Sequence, residues 1–318
     1  LRKEHAVFER ISGSLLDPES LYARNIETFH SPELRGLNMV MGFTGFADAG
    51  QVVRQINAEL LDELDAEVVA MFDADQLIDY RSRRPHISFV EDHVQDYQAP
   101  KLGLYKLTDG LGQPFLLLAG FEPDLQWERF SRAVVGIVEE LDVNLVTWIH
   151  SIPMPVPHTR PVGVTVHGNR PDLIEGISSW KPTVDVPAAI GHILELRLTE
   201  AERNVAGYVI HVPHYLSEAE YPPAAVAGLE YLGAATSLML PTDRLRESGR
   251  EVGRQIAEQI EASEEVQAVV TNLEARYDEK SEGVVRRSLL ADENDELPNA
   301  EDIGAAVEAY LARKDSPQ

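Results

Sequence analysis

One stretch gathers imidazole, hydroxyl and guanidinium groups: His150-Ser151, followed shortly by His158 and Arg160. A serine beside a histidine brings together the two parts of an activated nucleophile, hydroxyl and base. Ser151 lacks the Gly-x-Ser-x-Gly elbow that exposes such a nucleophile, so structure is the plainer reading of the stretch. His150, Ser151 and His211 remain the catalytic candidates, with His150 or His211 as acid or base. His150, His167 and His211 each follow a strand-like run. Imidazoles meeting at one sheet edge bind zinc or shuttle protons. No His-Glu-x-x-His helix accompanies them, and the chain has no cysteine. Thiolate catalysis, disulfides and Cys-ligated metals are thereby excluded. The expectation is no metal and no cofactor.

A second candidate is the glycine cluster Gly42, Gly45 and Gly50, which follows the apolar run from Leu37 and leads into Val52, Val53, Ile56, Leu60 and Leu61. That order reads as strand, tight loop, helix, the opening of an α/β unit. Glycine accepts positive φ and lets a backbone or ligand approach closely. Asp48 stands at the expected N-cap. Gly45, Phe46 and Asp48 are the ligand-binding candidates, because backbone N–H groups at a helix start attract anions. The spacing is neither a P-loop nor a dinucleotide fingerprint, and Asp48 already supplies the negative charge. A capped strand-to-helix turn is therefore favoured over an anion site.

The composition narrows the partners. Fifty-three acidic residues oppose 28 Lys and Arg, a formal net charge of −25. Nucleic acids are bound chiefly by cations that neutralise phosphates, and anionic membranes repel such a chain. The 44% apolar content over 318 residues supports a sizeable core. No apolar run approaches the ~18 residues of a membrane span. With no positive-then-apolar leader in the sequence given, the expected location is cytoplasmic.

Elements that position the candidates follow from periodicity. Tyr22–Phe29 reads as an edge element, and Ala66–Phe72 as a second strand ending at Asp73-Ala-Asp75, two turn formers. Arg81-Ser-Arg83-Arg84 is the one basic cluster: a solvated loop, or a receiver for a carboxylate, a phosphate or an acidic patch on a neighbouring subunit. His86–Val90 and Lys101–Leu107 alternate as strands with one wet face, and Asp109-Gly110 marks a hairpin. Phe115–Gly120 reads as a buried central strand, Trp127–Leu141 as an amphipathic helix and Val143–Ile149 as a strand. The prolines of Ile152–Pro161 place that loop at an edge or over a site. A strand at Val162–Val166, a helix at Val186–Leu198 with Pro187 in its first turn, and a buried strand at Val205–Ile210 follow. Pro222–Leu240 is a helix of small residues, and Asp243–Ile260 and Ser263–Tyr277 form a charged helical pair outside the sheet. The expected division is an α/β core over 1–240 and a helical extension over 241–318, with a polar linker near 278–298 and a last helical stretch at Asn299–Arg313.

Gly42-Phe-Thr-Gly-Phe-Ala-Asp-Ala-Gly50, Leu117–Gly120, the strand into His150-Ser-Ile-Pro153, Tyr208–Pro213 and Gly228-Leu-Glu-Tyr-Leu232 resemble the proteasome assembly chaperone 2 family, most of all its acidic actinobacterial members. The likeness spans roughly residues 30 to 265. It implies a three-layer α/β/α fold with a mixed, largely parallel sheet similar to phosphorylase/hydrolase enzymes. It also implies self-association, as in a trimer, and in eukaryotic and archaeal members a role in assembling proteasome core-particle subunits. Members that engage the core particle often end in hydrophobic-Tyr-x. The nearest match here, Ala309-Tyr310-Leu311, lies inside a helical pattern. The leading expectation is a non-enzymatic homo-oligomeric binding protein whose partners are itself and core-particle subunits, with neither nucleic acid nor membrane. The Pro222–Leu240 helix and the charged C-terminal helices are expected to contribute to oligomerisation. The alternative is a phosphorylase- or hydrolase-like enzyme acting on a small anionic or nucleoside-type substrate.

Overall fold

The apolar runs and amphipathic stretches assemble in the order the chain supplies them. The computed structural model describes residues 16–178 and 183–281. In chain order the elements are β1 (Tyr22–Arg24), β2 (Met39–Thr44), α1 (Val52–Glu63), β3 (Ala66–Phe72), β4 (Ser88–Val90), β5 (His93–Gln95), β6 (Leu102–Thr108), β7 (Pro114–Phe121), α2 (Trp127–Glu140), β8 (Val146–Met154), β9 (Val164–Gly168), α3 (Ile190–Glu200), β10 (Val205–Pro213), α4 (Pro222–Thr236), α5 (Asp243–Glu261) and α6 (Glu264–Ser281). Short helical turns lie between them.

Eight strands form one sheet in the order β1-β3-β6-β7-β2-β8-β10-β9. Its centre, β7-β2-β8-β10, is parallel, and antiparallel strands complete both sides. Met39, Val40 and Met41 of β2 are all fully buried. That continuous burial is why β2 reads as an unbroken apolar run: a central parallel strand has no wet face.

Helices cover both faces. On one, Met41, Leu118 and Trp148 pack against Phe130, Val134 and Ile137 of α2 and Ile190, Leu194 and Leu198 of α3. On the other, Val40, Leu117, Ile149 and Tyr208 pack against Ile56 and Leu60 of α1, Leu229 and Leu232 of α4, and Leu245 and Ile256 of α5. The result is the expected three-layer α/β/α architecture, with a C-terminal helical pair whose first member, α5, adds to the second core.

Several boundaries move, each for a tertiary reason. The helix expected from Val186 begins at Ile190, because its first N–H groups find partners there: Glu122 Oε1 accepts from Ile190 N at 2.8 Å, and His192 Nδ1 accepts from Ala189 N at 2.9 Å. The helix α4 is packed between α1 and α5, its small residues admitting close approach to the sheet rather than facing solvent. His86–Val90 does not give a strand with one wet face. It enters a separate two-stranded hairpin, β4–β5, and every residue from 86 to 99 is exposed. The hairpin after Leu107 forms as expected, with the Asp109 carboxylate accepting N–H bonds from Leu111, Gln113 and Met239. The stretch beyond Ser281, including most of the polar linker, Asn299–Arg313 and Ala309-Tyr310-Leu311, lies outside the described residues.

Candidate functional site

The glycine turn is built first, by backbone demands. Gly42 lies where a Cβ would sit 2.6 Å from Asn57 Oδ1, and Asn57 Nδ2 donates to Gly42 O at 3.0 Å, locking β2 to α1. Gly50 takes φ +66°, and Gln51 follows at φ +51°. The Asp48 carboxylate turns back to accept from Val53 N at 2.6 Å and Arg54 N at 3.3 Å. It therefore satisfies the orphan donors of α1 that a bound anion would use. Burial pushes its carboxyl up to about 6, against the pull of those two N–H bonds and of Arg54.

The same arrangement recurs on the other face. Glu122, after β7, accepts from Ile190 N at the start of α3 and from Phe46 N at 3.4 Å. Gly45 is needed beside it, since a Cβ there would lie 3.1 Å from Glu122 Oε2. Thus both helix starts near the turn hold a carboxylate of this chain. Of the three ligand candidates, Asp48 is a cap, Gly45 makes room for Glu122, and Phe46 is 70% exposed.

Period-two alternation decides the fate of the catalytic candidates. Trp148 and His150 share the α2/α3 face of the sheet, whereas Ser151 faces the other layer, where its Oγ donates to Ala49 O at 2.7 Å. Adjacent strand residues point to opposite faces, so His150 and Ser151 do not form a nucleophile–base pair. Asp48 and Ser151 do meet, as backbone partners in an isolated parallel bridge. His211 Nε2 lies 2.9 Å from Thr165 Oγ1. His158 pairs with the Tyr215 hydroxyl at 2.7 Å, and burial lowers its proton affinity. Arg160 forks onto Asp278 of α6 at 2.8 and 2.7 Å, so the proline-rich loop is clamped beneath that helix. Asp73 caps the short turn after β3 by accepting from Asp75 N.

Of the strand-end histidines grouped from the sequence, His150 and His167 do converge, while His211 turns to Thr165. Sequence reasoning missed the members that join them, His192 and Glu195. His150 stacks on Trp148 with ring centroids 4.3 Å apart, and it meets His167 at 5.8 Å and His192 at 5.2 Å, edge to face. His167 and His192 are 6.4 Å apart, closing a triangle of imidazoles. Glu195 accepts from Trp148 Nε1 at 2.6 Å and faces His167 Nδ1 at 2.9 Å. Gly207 clears the space, because a Cβ there would be 2.3 Å from His167 and 2.6 Å from Trp148 Nε1. The available signals were the Trp148/His150 alternation and the His192/Glu195 spacing of three on one helix.

Hydrogen bonds set the chemistry of the triangle. The Ala189 N–H donated to His192 Nδ1 puts the proton of neutral His192 on Nε2. The Glu195 carboxylate accepts the N–H of His167 Nδ1. Neither ring nitrogen of His150 has a partner among the described residues. Burial first, then His167 and His192, hold its proton affinity well below the ordinary value. His192 is lowered too, by burial first and then by His167. No group of three or more His, Asp or Glu among the described residues is arranged to hold a metal ion, in keeping with His192 presenting N–H rather than a lone pair. No helix among them is long and apolar enough to cross a membrane.

Comparison with known proteins finds relatives of this chain. A family profile described as the PAC2 family matches residues 42–260. A solved protein of unknown function from Corynebacterium glutamicum is similar at 39% identity and TM-score 0.78, over 82% of this chain and 98% of that one. One of unknown function from Mycobacterium tuberculosis is similar at 42% identity and TM-score 0.77, over 84% and 92%. Another structure from M. tuberculosis, described as a proteasome-assembly chaperone homologue, shares the fold at 23% identity and TM-score 0.67, over 74% and 100%. No curated protein matches the chain.

Proposed function

From the premise that this chain belongs to the PAC2 family, we propose that it is a homo-oligomeric, chaperone-like binding protein of the cytoplasm that works through surfaces offered to other chains. Core-particle subunits of the proteasome are its proposed clients. The observation that carries this reading is the placement of His150 and Ser151 in different layers, with the Ser151 hydroxyl already committed to Ala49 O. The Asp48 and Glu122 carboxylates bound to helix starts add to it, since a phosphate arriving there would meet a like charge. The proteasome assignment draws on the fold relative described as a proteasome-assembly chaperone homologue. Fold alone does not transfer an activity, so the direct test is a native pull-down of the full chain with purified core-particle subunits. Stoichiometric recovery supports the assignment; none removes it.

A second reading, a phosphorylase- or hydrolase-like site, is favoured by one observation: the buried, unpartnered nitrogens of His150. A small nucleoside-type ligand would supply their missing hydrogen bonds. Melting the protein with phosphate, nucleosides and simple esters separates the two, because a ligand that binds only the folded chain raises Tm. An unchanged Tm and no turnover count against the enzyme.

A further inference from the structure

We propose that the start of α3 is an acid-released latch, docked against the sheet while His192 and His150 are neutral and freed when they take up protons. The device is independent of both functional readings above.

Two hydrogen bonds hold the first turn of α3. Ile190 N donates to Glu122 Oε1 at 2.8 Å, and Ala189 N donates to His192 Nδ1 at 2.9 Å. Residues 183–188, which lead into the helix, are all exposed, and burial begins at Ala189. Ala189 is the N-cap, so His192 stands at N3. That is the place where Glu or Gln closes a capping box by reaching back to the N-cap N–H. A glutamine oxygen accepts that bond whatever the pH. An imidazole accepts it only while Nδ1 keeps its lone pair. A proton there turns the acceptor into a donor and sets N–H against N–H.

Charge on the neighbours acts with the cap. His192 meets Trp148 and His150 edge to face, with ring centroids 5.1 and 5.2 Å away. His150 is 5% exposed and neither of its nitrogens has a partner among the described residues. The titratable groups acting on it are His167 and His192, each of which, once protonated, opposes a further charge. Around His192, Glu195 of α3 and Glu122 after β7 favour the charged ring, while burial and His167 of β9 oppose it and prevail. Both carboxylates are already engaged. Glu195 accepts from Trp148 Nε1 and His167 Nδ1, and Glu122 from Ile190 N, with Arg83 bonded to Glu122 O. His211 of β10 shares this face by alternation with Tyr208 and Ile210, and is bonded to Thr165 Oγ1. Glu128 of α2 is paired with Arg197, further along α3. Docking thus favours neutral His150 and His192, whereas release returns them to the ordinary imidazole value near 6.5. The hold on α3 is full above that pH and weakens as pH falls below it, because the released state binds more protons.

Hydrogen exchange of the full chain, corrected for the intrinsic rate at each pH, reads the opening of α3 directly. Each imidazole that is neutral when docked and ordinary when released multiplies the opening constant about tenfold between about pH 7.5 and 5.5. The amides of residues 189–196 are therefore expected to open about 100-fold more at the lower pH, while those of α2 change less than about threefold. His192→Gln keeps the cap without the charge and is expected to leave a rise of about tenfold. Adding His150→Phe, which keeps a ring on Trp148, is expected to leave none. A wild-type opening constant that does not move with pH overturns the latch, as does a His192→Gln variant that opens as steeply as wild type. An α2 that opens in step with α3 overturns it too, since that is general acid unfolding. Should the double variant fail to fold, the contrast between wild type and His192→Gln decides by itself.

Discussion

Asp48 shows how one side chain can occupy the place a ligand would take. Its carboxylate sits on the first N–H groups of α1, and burial raises its carboxyl to about 6 from an ordinary 3.8. The folded chain therefore holds this proton more tightly than the unfolded chain, so the associated stability is full below about pH 4 and is lost as pH rises through 6. Asn keeps the capping oxygen without the charge. Asp48→Asn should therefore gain about 2 kcal/mol relative to wild type between pH 4 and pH 7, read from urea midpoints. Parallel curves for the two proteins would refute the buried charge. His150 carries the opposite sign. Its depressed proton affinity means that its contribution is present above pH 6.5 and is lost as the unfolded imidazole protonates below that value. NMR titration of the ring carbons should find His150 neutral well below pH 6.5, and a midpoint at 6.5 would contradict its burial. At this scale the sequence displayed Asp48 as a cap and His150 as a strand-end histidine. It did not display His192 or Glu195 as partners, since a helix 42 residues further along brings them in.

Elements explain why certain glycines cannot be exchanged. Gly207 lies between Trp148 and His167 across three strands, so the imidazole triangle depends on a residue with no side chain. Gly207→Ala should cost roughly 1–3 kcal/mol by overpacking and should disturb the Trp148–His150 stack, visible as a shifted tryptophan emission. A fully wild-type Tm and spectrum would show that the strands have slack there. Gly50→Ala adds strain at φ +66° and a Cβ 3.1 Å from Val212. A loss of about 1 kcal/mol or more is expected in chemical denaturation. Strand and helix existence was largely legible, because period-two and 3.6-residue patterns survive in a single sequence. The exposed state of β4 was not. Ile87, Phe89 and Val90 have the composition of a half-buried strand, and only the sheet order reveals that no layer covers them.

Across the whole molecule, α6 and the proline-rich loop form a removable clasp. Arg160 with Asp278 and Glu274, and the Tyr277 hydroxyl donated to Pro161 O, tie the helix to the loop, while Val270 and Leu273 provide its buried apolar contacts. Cutting the chain after Glu261 should raise hydrogen exchange across residues 152–161 and leave the amides of β2 and β8 protected. Loss of protection in β2 would make α6 part of the core instead. The amino-acid sequence alone determined the α/β class, the buried strands at Phe115–Gly120 and Val205–Ile210, the capped turn at Asp48 and the acidic surface, because each follows from neighbours a few residues apart or from composition. Tertiary structure decided which candidates share a space. Strand alternation sent His150 and Ser151 to different layers, and strand order brought His167 beside Trp148. The lack of any covering layer left the β4–β5 hairpin bare. Those are long-range matters, and periodicity within a segment carries no information about which other segment will lie against it.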